Sequence, residues 1–279
     1  MLNTLASNTE HAERDESMAN RMKDKVVVVT GAASGMGLGI ANALAGEGAA
    51  IVIADLNEEA ATAAAEKLQG SGQRAIGVRA NVSVRDDVRA VVERAVQEFG
   101  RSDVWFNNAG FNVPMQFLDV TEDNWRSIME VNALGVLIGT QEAAKQFIAQ
   151  GGGGKIINTT SMAGREGFPA FAPYSAAKSA VISLTQSAAK ALAEHDVTVN
   201  AFAPGVVQTP LWVKLDADLV DIGEVEKGTS AMDEFASGII RGRTAKVDDI
   251  VGTALYLASS DSDYLTAQVI MIDGGMVLV

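Results

Sequence analysis

The stretch VVVVTGAASGMG, residues 26–37, decides the fold of this chain. Its four consecutive valines predict a strand that is buried on both faces, and a glycine-rich turn then leads into a helical pattern. Glycines in such a turn let the backbone approach a pyrophosphate, while the free N–H groups of the helix attract its charge. The spacing is GxxxGxG, so it is the position of the turn directly after the first strand that indicates a nucleotide site.

Working outward, the same rhythm of short apolar strands and Ala-rich helices continues to the end of the chain. Strands are predicted at 26–29, 51–54, 75–79, 103–106, 155–159, 197–202 and 268–272. Helices are predicted near 36–47, 58–69, 84–98, 121–149, 173–193 and 247–258. Strands this apolar belong in a parallel sheet with helices on both faces, so we predict an α/β, doubly wound fold.

The domain organisation follows from where this rhythm starts. Residues 1–24 are polar and lack periodicity, so we predict a flexible extension followed by one domain over 25–279. GGGG at 151–154 is predicted to be a loop before the fifth strand. The segment 210–241 lacks a strand and is rich in acidic residues, and long inserts of this kind often form lids.

Composition narrows the function classes. The chain has 279 residues, a formal charge of −13, no Cys and two His. Without Cys there are no disulfides, thiolate nucleophiles or iron–sulfur clusters, and two His are too few for a His-based metal site. An acidic balance disfavours nucleic acid, and we find neither a signal peptide nor an apolar run long enough for a bilayer. We therefore expect a soluble, cytoplasmic globular protein that binds no metal, nucleic acid or membrane.

Asp55 ends the second predicted strand, at about the distance from Gly31 where dinucleotide-binding folds place an acidic residue. A carboxylate there accepts hydrogen bonds from the adenine-ribose hydroxyls and repels a 2′-phosphate. The neighbouring residues Ala32, Ala33, Leu56 and Asn57 offer no cation to offset that repulsion. The sequence therefore favours NAD over NADP.

Tyr174 and Lys178 are four residues apart in a helical stretch, so they share one face of the helix. A tyrosine with its usual pKa of about 10 is a poor base near neutrality. A neighbouring ammonium and a nicotinamide cation would both favour the phenolate and lower that pKa. Taken alone, such a pair is more often part of an ordinary helix surface than an acid/base device.

The motifs gain meaning in combination. TGAASGMG at 30–37, NNAG at 107–110, Asn132, Ser161, YSAAK at 174–178 and PG at 204–205 occur in this order. Together they resemble the short-chain dehydrogenase/reductase superfamily over roughly residues 25–279. The resemblance implies one Rossmann-like domain with a seven-stranded parallel sheet, NAD(P)-dependent hydride transfer and a homotetramer.

The resemblance also implies roles for individual residues. The catalytic set would be Asn132, Ser161, Tyr174 and Lys178. Tyr174 would exchange a proton with the substrate oxygen that Ser161 holds, Lys178 would bind the nicotinamide ribose, and Asn132 would keep a water beside Lys178. The implied cofactor contacts are Gly31, Ser34, Gly35, Met36, Gly37, Asp55, Leu56, Asn81, Val82, Asn108, Ala109, Gly110, Tyr174, Lys178, Pro204, Gly205, Val207 and Thr209. At Asn81 many family members carry Asp, but Asn can still bond the adenine amine edge.

The substrate is less constrained. Several local stretches resemble the polyol (sorbitol-type) and acetoin/2,3-butanediol branches, which implies a small secondary alcohol with vicinal hydroxyls. The predicted pocket residues are Val113, Met162, Phe168, Phe171, Val206 and Trp212, each of which fits core packing equally well. One alternative is a 3-oxoacyl-type ketoreductase, whose acidic carrier protein the charge of −13 would repel. Another is a non-catalytic NAD-binding regulator, whose usual sign is an incomplete catalytic set.

Overall fold

The structure is a computed structural model that describes residues 20–226 and 228–278. Its centre is a seven-stranded sheet in the order β3-β2-β1-β4-β5-β6-β7, with every pairing parallel. The strands are β1 (Val26–Thr30), β2 (Ala50–Asp55), β3 (Ala75–Arg79), β4 (Val104–Asn107), β5 (Gly154–Thr159), β6 (Val197–Pro204) and β7 (Val269–Ile272). All predicted strands are present, with their ends shifted by two residues at most.

Helices connect the strands and cover both faces of the sheet. They are α1 (Gly35–Gly46), α2 (Glu58–Gly70), α3 (Arg85–Phe99), α4 (Glu122–Met129), α5 (Gly135–Gln150), α6 (Ala172–Leu192), α7 (Pro210–Asp221), α8 (Ala231–Ser237) and α9 (Asp248–Ala258). The predicted helix at 121–149 is therefore interrupted. A π-helical segment, Glu130–Leu134, joins α4 to α5 and contains Asn132, and such segments often occur at functional sites.

The valines of β1 divide the core into two layers. Val27 and Val29 pack with Leu44 of α1 on one face, while Val26 and Val28 pack with Val91 of α3 on the other. This follows from the alternation of side chains along a strand. The predicted doubly wound sheet is confirmed, and β1 and β4 lie side by side at its centre. At this point the order of the strands reverses, and open α/β sheets bind ligands beyond the carboxyl ends of the strands there.

The amino-terminal boundary differs from the prediction. Residues 21–24 form a turn, and Met22 within it is fully buried in the core. Arg21 donates hydrogen bonds to the Glu47 carboxylate and lies 3.6 Å from Asp261. The domain thus begins before residue 25, because an apolar side chain in this turn has a place in the core. The rest of the predicted extension, residues 1–19, lies outside the described residues.

The segment 210–241 folds as two helices, α7 and α8, with no strand among its described residues. Gly151, Gly152 and Gly153 all have positive φ and form the predicted loop, which ends as β5 begins at Gly154. Among the helices that the structure describes, none is long and apolar enough to cross a membrane.

Candidate active site

A cavity of about 480 Å³ opens at the carboxyl edge of the sheet, beyond β1, β4 and β5. Every predicted cofactor contact except Lys178 lines it, and so does Ser161. Residues far apart in the chain meet here because parallel strands bring their carboxyl ends to one edge. The cavity has a glycine-rich end near Asp55 and an opposite end near Tyr174.

Local geometry explains the glycines of the first turn. Gly31 and Gly35 have φ of +63° and +55°, a region that residues with a Cβ rarely adopt. A Cβ on Gly37 would lie 2.4 Å from the carbonyl oxygen of Gly31, so no larger residue fits without moving the backbone. Ser34, the N-cap of α1, makes no side-chain capping bond, and the first turn of α1 carries no acidic residue. The N–H groups of this turn are therefore suited to an anion such as a diphosphate.

Asp55 is held in a fixed orientation at the rim. Its carboxylate accepts hydrogen bonds from the N–H groups of Ala33, at 3.0 Å, and Asn57, at 3.1 Å. It is the only charged side chain among the residues that line the cavity. Arg79, its neighbour on β3, pairs with Asp87 at 3.3 Å. The rim is thus negative where a cofactor's adenine ribose would lie.

Asn108 ties β4 to the glycine turn. Its side-chain amide donates to the carbonyl oxygens of Thr30 and Gly31, at 2.9 and 3.2 Å, and its N–H donates to the Thr30 hydroxyl. Both donors of the Asn108 amide are used in these contacts. Asn108 consequently fixes the shape of the turn while it also forms part of the cavity wall.

Tyr174 and Lys178 lie in the first two turns of α6, which begins at Ala172. Lys178 is 3% exposed, and its Nζ donates to the carbonyl oxygen of Thr159 at 2.9 Å. The same Nζ lies 5.4 Å from the centre of the Tyr174 ring. A side-chain cation is therefore placed directly behind the tyrosine, away from the cavity surface.

Asn132 faces Lys178 from the π-helical segment. Its Nδ2 donates to the carbonyl oxygens of Phe111 and Ile128, whereas its buried Oδ1 has no hydrogen-bond partner. A Cβ on Gly110 would lie 2.6 Å from that Oδ1 and 3.5 Å from the Lys178 Nζ. Both atoms thus border one small polar space, which is of the kind that a buried water occupies. Gly110 keeps that space open because it has no side chain.

The pKa values of this pair differ from the sequence expectation. Burial raises the pKa of Tyr174 to about 12, and a hydrogen bond with Ser161 offsets only part of the rise. Burial also lowers the pKa of Lys178 to about 8. The predicted lowering of the Tyr174 pKa, which also relied on a nicotinamide cation, is therefore not found in the protein alone, because the loss of hydration outweighs the hydrogen bond with Ser161. Tyr174 is half-buried and borders the cavity, so a bound cation would act on it directly.

The six predicted substrate residues are not all on the cavity surface. Trp212 lines the cavity, while Met162 and Val206 pack behind it in one apolar cluster. Phe168 and Phe171 belong to an adjoining cluster that includes Tyr174. Val113 is half-buried outside the lining, and its carbonyl oxygen accepts a hydrogen bond from Asn124.

Several lining residues were not identified from the sequence. They are Ala80, Phe111, Val131, Thr159, Thr160, Pro210 and Leu211. Most are direct neighbours of motif residues, since Phe111 follows NNAG and Thr160 precedes Ser161. Extending each predicted position by one residue would have found six of the seven, and only Thr159, which lies two residues before Ser161, would have been missed. Within the part of the chain that the structure describes, no group of three or more His, Asp or Glu could hold a metal ion.

Strand order, layering and cavity position together define a Rossmann-type α/β protein. Residues 25–219 match the family model described as "short chain dehydrogenase". The chain is 40% identical to a diacetyl reductase, (S)-acetoin forming, from Staphylococcus epidermidis, with 91% of this chain and 98% of that protein aligned. It is also 40% identical to galactitol 2-dehydrogenase from Agrobacterium fabrum over 91% of this chain and 98% of the relative.

A solved structure supports the same family membership. A short-chain type dehydrogenase/reductase from Mycobacterium marinum superposes with a TM-score of 0.84 at 32% identity, covering 92% of this chain and 97% of that one. The chain therefore belongs to the short-chain dehydrogenase/reductase family. It is an oxidoreductase that uses a nicotinamide cofactor, and its resemblance to the acetoin and polyol branches is confirmed.

Proposed function

We propose that this protein interconverts a secondary alcohol and its ketone with NAD, the alcohol being a vicinal diol, polyol or sugar alcohol. One observation carries the proposal. A single cavity has Asp55 and the glycine turn at one end and Ser161 with Tyr174 at the other. The names of the acetoin-forming and galactitol relatives support the substrate class.

The residues of the glycine-rich end fit a dinucleotide. The backbone around Gly37 would hold the diphosphate, because it is closely packed and its N–H groups are available. Asp55 would accept hydrogen bonds from the adenine-ribose hydroxyls. A 2′-phosphate would place negative charge beside the carboxylate, and no Lys or Arg lines the cavity to offset it. NAD is therefore our proposed cofactor.

At the reacting end we assign proton transfer to Tyr174. When bound, the nicotinamide ring supplies the hydride acceptor or donor for the carbinol carbon. Tyr174 Oη takes the hydroxyl proton in oxidation and returns it in reduction, so charge does not build up on the substrate oxygen. Ser161 Oγ holds that oxygen by a hydrogen bond. With its pKa at about 12, Tyr174 stays protonated near neutrality, which suits it to protonating a ketone oxygen.

Lys178 and Asn132 would act behind the tyrosine. Lys178 provides positive charge close to the ring. For its Nζ to bind the nicotinamide ribose as well, the side chain would have to reach the cavity from its buried position behind Tyr174. The polar space between its Nζ and Asn132 Oδ1 would hold a water that exchanges protons with Lys178. All four residues then have distinct roles in one proton path.

We further propose a homotetramer that works in the cytoplasm. The family resemblance supports the tetramer, with the edge strand β7 and helix α6 as contact surfaces. A chain without Cys suits a reducing compartment. Light scattering coupled to size-exclusion chromatography should give four times the chain mass of 29.1 kDa; a monomer would contradict this part of the proposal.

Initial rates with NAD and NADP test the proposed function. With 2,3-butanediol as substrate, the kcat/KM of the wild-type protein for NAD should exceed its kcat/KM for NADP by about tenfold or more. The reason is that placing the 2′-phosphate of NADP beside the Asp55 carboxylate should cost about 1.4 kcal/mol or more. Asp55→Ala should narrow that preference. Glu58→Ala, at an acid on the following helix that is exposed and outside the cavity, is the matched control and should leave the preference unchanged. A wild-type preference for NADP would show that the cofactor assignment is wrong.

A further inference from the structure

Asn81 lies beside Asp55, on the neighbouring strand end. Asp55 is the register partner of Arg79 on β3, and the N–H of Ala80 donates to the Asp55 carbonyl oxygen at 2.8 Å. Asn81 is the next residue and lines the same cavity. A dinucleotide whose adenine ribose bonds Asp55 would therefore bring its base within reach of the Asn81 side chain.

The backbone of Asn81 is held in place by two hydrogen bonds. Its N–H donates to the Asp87 carboxylate at 2.9 Å, and its carbonyl oxygen accepts from the Val84 N–H at 3.0 Å. Asp87 is itself paired with Arg79 at 3.3 Å. The side chain therefore starts from a fixed point, and its own contacts determine which of its atoms is available to a ligand.

The orientation of the Asn81 amide is set by Ser83. The amide Oδ1 accepts hydrogen bonds from the Ser83 N–H, at 3.1 Å, and from the Ser83 hydroxyl, at 2.8 Å. A backbone N–H can only donate, so the atom that faces it must be the amide oxygen. This is an Asx turn, which Asn and Asp form equally well. Both lone pairs of Oδ1 are used within the turn.

The amide nitrogen, Nδ2, is the polar atom of Asn81 that remains. It makes no hydrogen bond within the part of the chain that the structure describes, and it is not a buried atom. The neighbouring lining residues Leu56, Ala80 and Val82 have no polar side-chain atoms. This part of the rim thus offers a side-chain donor to the base, while the Asp55 carboxylate is the acceptor that we assign to the ribose.

Purine bases differ in what they present to such a donor. Adenine carries a 6-amino group, which is itself a donor, whereas hypoxanthine carries a 6-oxo group, which accepts. Facing Nδ2, the amino group would lack a partner and the oxo group would gain a hydrogen bond. An Asp at this position would present a carboxylate oxygen instead, and the preference would be reversed.

We propose that Asn81 recognises the base of the cofactor by donating from Nδ2, so that the protein binds a 6-oxo purine dinucleotide at least as tightly as the adenine form. The inference rests on the proposed function, because it takes from it the position of the ribose at Asp55. It adds a residue that determines specificity for the base, at the opposite end of the cavity from Tyr174.

Binding to the wild-type protein tests the inference without turnover. Fluorescence titration can compare the Kd of NADH with that of reduced nicotinamide hypoxanthine dinucleotide, since both carry the same reduced nicotinamide. The Kd of the hypoxanthine form should equal that of NADH or lie up to about fivefold below it, the ratio that one net hydrogen bond of about 1 kcal/mol gives. Tighter binding of NADH would overturn the inference and leave the proposed function standing. Failure of both forms to bind would contradict the proposed cofactor, and the inference with it.

A matched pair of variants isolates the amide nitrogen. Asn81→Asp keeps the Asx turn and replaces Nδ2 by a carboxylate oxygen. Asn57→Asp makes the same change in a second Asn whose Oδ1 accepts from a backbone N–H, that of Ala60 at 3.0 Å, but whose side chain is exposed and outside the cavity. Asn81→Asp should shift the ratio of the two Kd values in favour of NADH by about tenfold or more, because hydrogen bonds to charged groups are stronger. Asn57→Asp should leave the ratio unchanged. An unchanged ratio in folded Asn81→Asp, or an equal shift in both variants, would contradict the inference.

Discussion

The two ends of the cavity are built differently. The glycine-rich end is made largely of backbone, with Gly31, Gly35 and Gly37 packed so closely that a Cβ is excluded or strained. The reacting end is made of side chains from several separate elements, and helix α7 supplies much of its wall. Close backbone packing demands particular residue types at particular spacings, whereas an apolar wall can be made from many combinations. The first end can therefore be recognised from sequence motifs and the second only from the folded chain.

The two ends should also fail in different ways when altered. Changes at the reacting end should remove turnover and leave cofactor binding intact. Changes at the glycine-rich end should weaken cofactor binding and leave kcat at saturating cofactor nearly unchanged. The predictions below test this separation.

Tyr174→Phe carries the largest expected effect. Loss of the acid/base hydroxyl should lower kcat by about a thousandfold or more, because general acid–base catalysis contributes about 10² to 10⁴. The Kd for NADH, measured by fluorescence titration, should stay within about twofold, since most contacts of the cofactor would lie elsewhere. Activity close to wild type would remove Tyr174 from the mechanism, and an equal loss of binding would contradict the separation.

Gly37→Ala should have the next largest effect, this time on binding. The new Cβ would lie 2.4 Å from the Gly31 carbonyl oxygen and force the turn apart. We expect the Kd for NADH to rise about a hundredfold, equivalent to about 2.7 kcal/mol. Gly46, at the other end of α1, has open space around its Cβ position. Gly46→Ala is therefore the control, and if both variants bind NADH like wild type, the close packing at Gly37 does not serve the cofactor.

Lys178→Met should change stability in a pH-dependent way. Burial lowers the Lys178 pKa from 10.5 to about 8, so the folded state binds fewer protons than the unfolded state between these values. The cost of burying the charge, about 3 kcal/mol, is fully present below pH 8 and is relieved as the pH rises toward 10.5.

The variant removes this cost but loses the hydrogen bond to Thr159. At pH 7 we expect its free energy of unfolding to exceed that of wild type by about 1 to 2 kcal/mol. The difference should shrink as the pH approaches 10. Urea unfolding at several pH values measures both effects; a variant less stable than wild type at pH 7 would show that Lys178 is not strained by burial.

Much of the fold could be predicted because it depends on local patterns. The valines of β1 and the alternating strands and helices fixed the parallel sheet, and nearly every predicted cofactor contact lies on one cavity. Met22 was missed because its place in the core depends on contacts with a distant turn. The π-helical segment was missed because a single extra residue per turn leaves the helical pattern almost unchanged.

The side-chain hydrogen bonds between neighbouring strands could not be predicted from the sequence either. Trp105 donates to Asn107 at 2.7 Å, Asn107 donates to Asn158 at 2.8 Å, and Asn158 donates to Thr185 on α6 at 2.9 Å. This buried series of hydrogen bonds connects β4, β5 and the helix that carries Tyr174. No spacing of residues in the sequence predicts it. The pKa of Tyr174 depended in the same way on burial, which sequence neighbours do not report.

Isotope transfer tests the central claim most directly, namely that one cavity holds the alcohol carbon and the nicotinamide side by side. Wild-type protein would be given NAD and 2,3-butanediol deuterated at its two carbinol carbons, and the reduced cofactor would be analysed by mass spectrometry. We predict one deuterium in each molecule of reduced NAD, with one molecule of acetoin formed for each. Reduced cofactor without deuterium, or oxidation of the diol without reduction of NAD, would contradict the account.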